Sequence, residues 1–142
     1  MGNGMVIAAQ QIADARAAAA GRTAGLFALG AVGYCLLEIL WRGHTHWSMG
    51  VAGGVCLVGL YGLHRRMAGR PLVLQAAAGA ALITAVEFCV GCVVNLLLGW
   101  NVWDYSGWRF HLLGQICLVF CVLWFVLSLG VMGVFRLTEK RA

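Results

Sequence analysis

Four apolar runs, each about as long as a bilayer is thick, decide what this chain can fold into. The first covers residues 23–41 and holds no charge until Glu38. The second covers residues 47–63 and ends at His64-Arg65-Arg66. The third follows Arg70, opens on Pro71 and continues to Trp100. The fourth covers residues 112–135 and leads into a polar tail. A helix needs about 20 apolar residues to cross the hydrocarbon. Inside that layer the backbone must satisfy its own hydrogen bonds, which leaves helices as the form for runs of this length. The expected fold class is therefore an all-α integral membrane protein with four transmembrane helices. Pro71 suits a first helical turn, where its missing N–H costs nothing. The third run exceeds one straight crossing, so it should tilt or break near Gly91 or Gly99.

Composition closes the alternative. The chain is 62% hydrophobic and 11% charged, against a usual charged share of about 25%. A soluble domain of 142 residues could not hide so much apolar surface. The net charge of +5 falls at the ends of the apolar runs and forms no basic stripe, which excludes a nucleic-acid partner. The bilayer is the first partner expected. Residues 1–22 are Ala-rich and too weakly apolar to span, so they should form an interfacial helix or a mobile segment. They lack the basic start and apolar core of a cleaved signal peptide. Residues 23–135 then form the four-helix domain and residues 136–142 a tail.

Charge also orients the helices. Arg16, Arg22, Arg65, Arg66, Arg70, Arg136, Lys140 and Arg141 fall on one side, and Arg42 and Arg109 on the other. The positive-inside rule places both termini and the middle loop in the cytoplasm of an inner-membrane protein. Two aromatic-polar clusters, Trp41-Arg-Gly-His-Thr-His-Trp-Ser48 and Trp100-Asn-Val-Trp-Asp-Tyr-Ser106, then face outward together. Large amphipathic rings belong at that boundary.

A short internal duplication is visible. Gly30-Ala31 precedes Glu38 by the interval at which Gly79-Ala80 precedes Glu87. Gly53-Gly-Val-Cys-Leu-Val58 resembles Gly114-Gln-Ile-Cys-Leu-Val119. Two tandem helical hairpins follow, related by a pseudo-two-fold axis along the membrane normal. The second hairpin has the longer connection, which carries the Trp100–Ser106 stretch.

Ionisable groups inside a membrane are costly and point to function or pairing. Glu38 and Arg42 lie one turn apart in the favourable order for an ion pair. Glu87 has no basic residue within a turn, so it is either neutral or paired across helices with Arg42 or Arg109. Thr84, Glu87, Gly91 and Asn95 share one helix face, which must point into the bundle. That seam is either structural or a proton or substrate site. Asp104 is expected to cap or bridge toward Arg42, His44 or Arg109 and close the outer end of the seam. His44 and His46, with Asp104 and His111, make a weak candidate metal site. The six cysteines, Cys89-Val-Gly-Cys92 among them, lie in apolar runs and read as small buried side chains. Gly50, Gly54, Gly59 and Gly62 give the second helix a small-residue stripe for close packing. No motif identifies a cofactor.

Several of these residues carry a resemblance. Glu87, then Trp103-Asp104-Tyr105-Ser106, then Gly114-Gln115-Ile116-Cys117-Leu118 and Trp124, resemble the ABC-transporter type IV, or CmpB-like, family of membrane proteins. The likeness is best over residues 80–125 and extends back to Gly30. The chain departs from that pattern at His111, where members commonly carry Asn, and at Trp108-Arg109, where many carry Pro. The resemblance implies a permease component and draws attention to Trp103, Asp104, Tyr105, Ser106 and Gln115. The chain has no G-x-x-x-x-G-K-[ST], so ATP hydrolysis would belong to a separate subunit. Three functions follow as expectations: a small permease-type protein working as a homo-oligomer or with other membrane subunits; a non-catalytic accessory subunit; and a membrane-embedded enzyme acting on a lipid or quinone through His44, His46, Asp104, Tyr105 and His111.

Overall fold

Four helices carry the four apolar runs, in a computed structural model that describes residues 2–140. Helix α1 covers Gly2–Arg42, α2 Trp47–Arg66, α3 Leu72–Gly91 and α4 Leu118–Glu139. Each contains a stretch long and apolar enough to cross a membrane, the third continuing through to Leu97. Arg141, counted among the charges of the tail, lies outside the described residues.

Two boundaries differ from the pattern of the runs. Helix α1 does not begin near Thr23 but runs unbroken from Gly2, 41 residues in all. At 1.5 Å per residue that is about 60 Å, roughly twice the hydrocarbon thickness. The Ala-rich start has strong helix propensity and no proline, so nothing separates it from the span. The fourth helix begins at Leu118 rather than Leu112, because residues 111–117 turn back on themselves. There β1 (His111–Leu112) pairs antiparallel with β2 (Ile116–Cys117).

The expected break in the third run is present. At Cys92 the α-helix gives way to a π turn over Cys92–Leu97. Just past its end, Gly99 adopts φ +65°, a conformation open to glycine at little cost. Such wider turns insert one extra residue per turn and rotate the side chains beyond them. Residues 98–117 then form a connector between α3 and α4.

Helix α1 packs along α2 and α4 along α3, with α2 also against α3. The α1–α2 crossing is set at Gly30 and Gly53, where a Cβ on either would overlap the other's carbonyl oxygen. Lipid offers no hydrophobic drive for helix pairing, so close backbone contact supplies it. Gly50 and Gly54 extend the contact to Cys35 and Phe27, Gly59 meets Leu82 of α3, and Gly62 stays open. Cys56, Leu60, Ala80, Ile83, Trp124 and Met132 form the core where α2, α3 and α4 meet.

Polar knots close both ends of the bundle. At the arginine-rich end Gln75 is fully buried. Its amide nitrogen donates to the carbonyls of Met67 and Arg70, both at 3.1 Å. Its Oε1 is therefore the acceptor facing His64 Nδ1, at 2.7 Å. At the opposite, tryptophan-rich end the two aromatic-polar clusters come together. His46 stacks near Trp47 and Trp100, and the two indoles lie 5.9 Å apart.

Candidate functional site

Glu87 is the centre of the polar seam. It is 3% exposed, inside the third span. Its two carboxylate oxygens each take one neutral donor. The Tyr105 hydroxyl donates to Oε1 at 2.9 Å. Trp124 Nε1 donates to Oε2 at 2.8 Å. Among the described residues no cation pairs with it; the ion pairs there are Arg42–Glu38 and His64–Glu139. Of the two alternatives for Glu87, the cross-helix pairing with Arg42 or Arg109 does not form. Arg42 is spent on α1 and the connector, and Arg109 is exposed.

The rest of the seam holds the connector in place. Thr84 Oγ1 donates to Cys121 Sγ at 3.6 Å. At Gly91 an added Cβ would lie 2.6 Å from Gln115 Oε1 and 2.9 Å from the Trp103 ring. The missing side chain is what lets the connector descend onto α3. Asn95, turned inward by the π turn, donates to Gln115 Oε1 at 2.8 Å and accepts from the Val102 amide at 2.7 Å. Gln115 donates in turn to the Leu113 carbonyl. Trp103, 7% exposed, donates from Nε1 to the Gln115 carbonyl at 3.0 Å. Thus Thr84, Glu87, Gly91 and Asn95, four positions of one helix face, all meet α4 or the connector.

Tyr105 sits at the tip of this arrangement. Its ring stacks on Phe120 with centroids 4.6 Å apart, and its amide donates to the Gly114 carbonyl. Burial, then the charge of Glu87, holds its phenol proton well above the usual range, so the hydroxyl is a donor throughout physiological pH.

Glu38 and Arg42 form the expected pair on α1, 2.7 Å apart and mostly buried. Thr45 Oγ1 donates to the second oxygen of Glu38. Arg42 Nη1 donates to the Val102 carbonyl at 2.6 Å and so straps α1 to the connector. Its Nε is buried without a partner.

Asp104 does not do what its position suggests. It is exposed and bridges neither to Arg42 nor to His44 or Arg109. It accepts instead from the Ser106 amide and hydroxyl, both at 2.8 Å. Those bonds hold its carboxyl below the usual range. An Asp two residues before a Ser closes a local turn more cheaply than it can reach across the bundle. The candidate metal ligands also stay apart: among the described residues no three His, Cys, Asp or Glu side chains gather. His44 Nδ1 faces the Arg42 carbonyl, His46 caps α2 through Ser48, and His111 Nδ1 accepts from the Gly114 amide. Each imidazole is used locally. All six cysteines are free thiols, but only Cys56 and Cys117 are buried as expected; Cys35, Cys92 and Cys121 are half-buried and Cys89 is exposed.

The pattern assigns no role to three site residues, although one of them, Trp124, is among those that carry the family resemblance. Thr45 lay hidden between two histidines. Tyr34, on the face of α1 turned toward Trp124 at 5.8 Å, looks apolar by its neighbours. Trp124 offered a usable sign: an indole N–H in mid-span needs an acceptor, and few acceptors exist there.

Helices of spanning length, a polar seam along α3 and a connector seated on that seam define a class: a polytopic helical membrane protein with its polar groups buried beneath a folded cap. Residues 25–141 match the family described as "Putative ABC-transporter type IV", and the chain belongs to that family. The match reaches well beyond residues 80–125, where the shared motifs lie. No curated protein and no solved structure matches the chain.

Proposed function

We propose that this chain is a small permease-type component whose working element is Glu87 with the Tyr105 cap above it. One observation carries the reading: a carboxylate buried in a span and held by two neutral donors, with no cation beside it among the described residues. A carboxylate in hydrocarbon is expensive, and a purely structural seam would be served as well by an amide. The family's name points the same way. A proton or a cationic group on the substrate supplies the missing charge during the working cycle, and the Tyr105 bond reports it to the connector.

The finer architecture goes with this reading. Charge distribution supports cytoplasmic termini in an inner membrane and a cap that faces outward. The matched Gly-to-Glu intervals of α1 and α3 support two hairpins about a pseudo-two-fold axis. Four helices are few for a transport path, so a second copy completes it in this reading, and another membrane subunit would do so in the accessory reading. A second reading, an accessory subunit, draws on α1. Its N-terminal half exposes Met5, Val6, Ile7 and Ile12, beyond what one crossing needs.

The test is flux through vesicles holding the purified chain, an internal pH dye and a trace of fluorescent phospholipid. Proton or lipid movement should depend on the protein and vanish in Glu87→Gln while insertion is retained. Movement of neither probe, or full movement in Glu87→Gln, contradicts the proposal.

A further inference from the structure

Helices α1 and α4 have few close backbone approaches and meet through side chains, Tyr34 with Trp124 and Trp41 with Phe120. The space between them is a cleft of about 350 Å³. That lies at the lower end of the roughly 300–1,000 Å³ found for ligand pockets. Its walls are mainly apolar, with Leu37, Leu123, Val126 and Leu127 along them and Phe120 and Trp124 behind. Several of these, Leu37, Leu123 and Val126 among them, are exposed on the flanks of spanning helices. The cleft is therefore open sideways, to lipid. Toward the tryptophan-rich end it is shut. The Val102–Tyr105 segment lies across it, strapped by the Arg42–Val102 bond, with Trp103 buried.

The closed end is polar, and its spare capacity has one sign. Both oxygens of Glu38 already accept, from Arg42 and Thr45. Arg42 lines the cleft with its side chain 20% exposed, and beyond its bonds to Val102 and Glu38 its guanidinium has N–H groups to spare. What is missing is an acceptor. The end also lies at the level of Trp41 and the clustered indoles of Trp47 and Trp100, the depth at which headgroups sit.

We propose that the α1–α4 cleft binds one acyl chain of a bilayer phospholipid, with the lipid phosphate on Arg42. At about 350 Å³ the cleft has room for one acyl chain, and the second stays in the bilayer. A guanidinium matches a phosphate by geometry as well as charge. Access from the side explains why the cap can be sealed by hydrogen bonds and the site still be reached. This names the substrate class for the permease reading, and for its role, though not its occupancy, it rests on that reading.

The experiment is photocrosslinking in vesicles of phosphatidylcholine doped with a phospholipid carrying a diazirine in one chain, mapped by mass spectrometry. Labelling at Leu37, Leu123 and Leu127 should exceed labelling at Val93 and Leu96, which are exposed on the third span, by tenfold or more. Leu127→Trp, which fills the cleft, should remove the excess. Arg42→Gln should remove it for the phospholipid and leave a diazirine diacylglycerol labelling all positions evenly. Even labelling by the phospholipid in the wild-type protein means ordinary lipid contact and overturns the proposal. A diazirine fatty acid that labels the cleft better than the phospholipid overturns the assignment of the head. Should Arg42→Gln not fold, the Leu127→Trp and diacylglycerol arms still decide. Cleft labelling without flux counts against transport alone; flux without cleft labelling counts against this inference alone.

Discussion

Glu87 combines two roles that a pair of substitutions separates. In Glu87→Gln the amide keeps an oxygen for Trp124 Nε1 and offers N–H groups to the Tyr105 oxygen, so both contacts survive without the charge. In Glu87→Leu the Trp124 N–H and the Tyr105 hydroxyl lose their acceptor in a dry interior. Each orphaned donor costs about 1–3 kcal/mol. Thermal unfolding in mild detergent should show Glu87→Leu clearly destabilised and Glu87→Gln near the wild type. Equal loss in both would mean that the charge itself holds the fold together. Gly91 is the second residue on which the site turns. Gly91→Leu would push against Gln115 and Trp103 and lift the connector. Cys117, 1% exposed, should then react with a maleimide in a chain whose other cysteines are replaced. An unreactive Cys117 would show that the connector seats without that gap. Much at this scale was legible in advance. The shared face of Thr84, Glu87 and Gly91 follows from helical spacing alone, while Asn95 joins it through the π turn. The partners of Glu87 do not follow from spacing, because the sequence shows which face is polar but not which donors a distant loop brings to it.

The connector of residues 98–117 is the element least visible in the amino-acid pattern. Its first residues continue the apolar run of α3, so periodicity shows no boundary there. Its shape depends on Asn101, Phe110 and Leu113 at positive φ, which bulky residues adopt only where surrounding contacts hold them. Residues 112–117 likewise read as the start of a span, yet their backbone pairs as a short hairpin. Asp104 belongs to this element rather than to the seam. Its carboxyl is held below the usual range by Ser106, so its contribution is present above the unfolded value of about 3.9. It is lost as pH falls through the lower folded value. Connector order, read from tryptophan emission, should thus be steady from neutral pH to about pH 4 and decline below it. Asp104→Asn, which cannot gain a proton, should remove that acid-side decline. A decline of the same size in the variant would assign it to another group.

For the whole molecule, the four runs of the chain became four helices with the expected order and neighbours, because lipid leaves long apolar segments one backbone form. Helix α1 is the exception in extent. Hydropathy marks where a helix can cross, not where an Ala-rich helix stops. The meeting of the Trp41–Ser48 and Trp100–Ser106 clusters at one end follows from an even number of crossings between them. The cleft between α1 and α4 was not legible at all, since it depends on which helices pack closely. Together these features make a bundle sealed by hydrogen bonds at its tryptophan-rich end and open at its side, with a carboxyl group beneath the seal that has no cation partner among the described residues. The most direct test of that account is the initial rate of proton and lipid flux in vesicles holding Glu87→Gln, compared with wild type at equal inserted protein. The account predicts a rate at or below one tenth of the wild-type value, about 1.4 kcal/mol or more in barrier. A rate equal to wild type would show that Glu87 is only a strut in the seam.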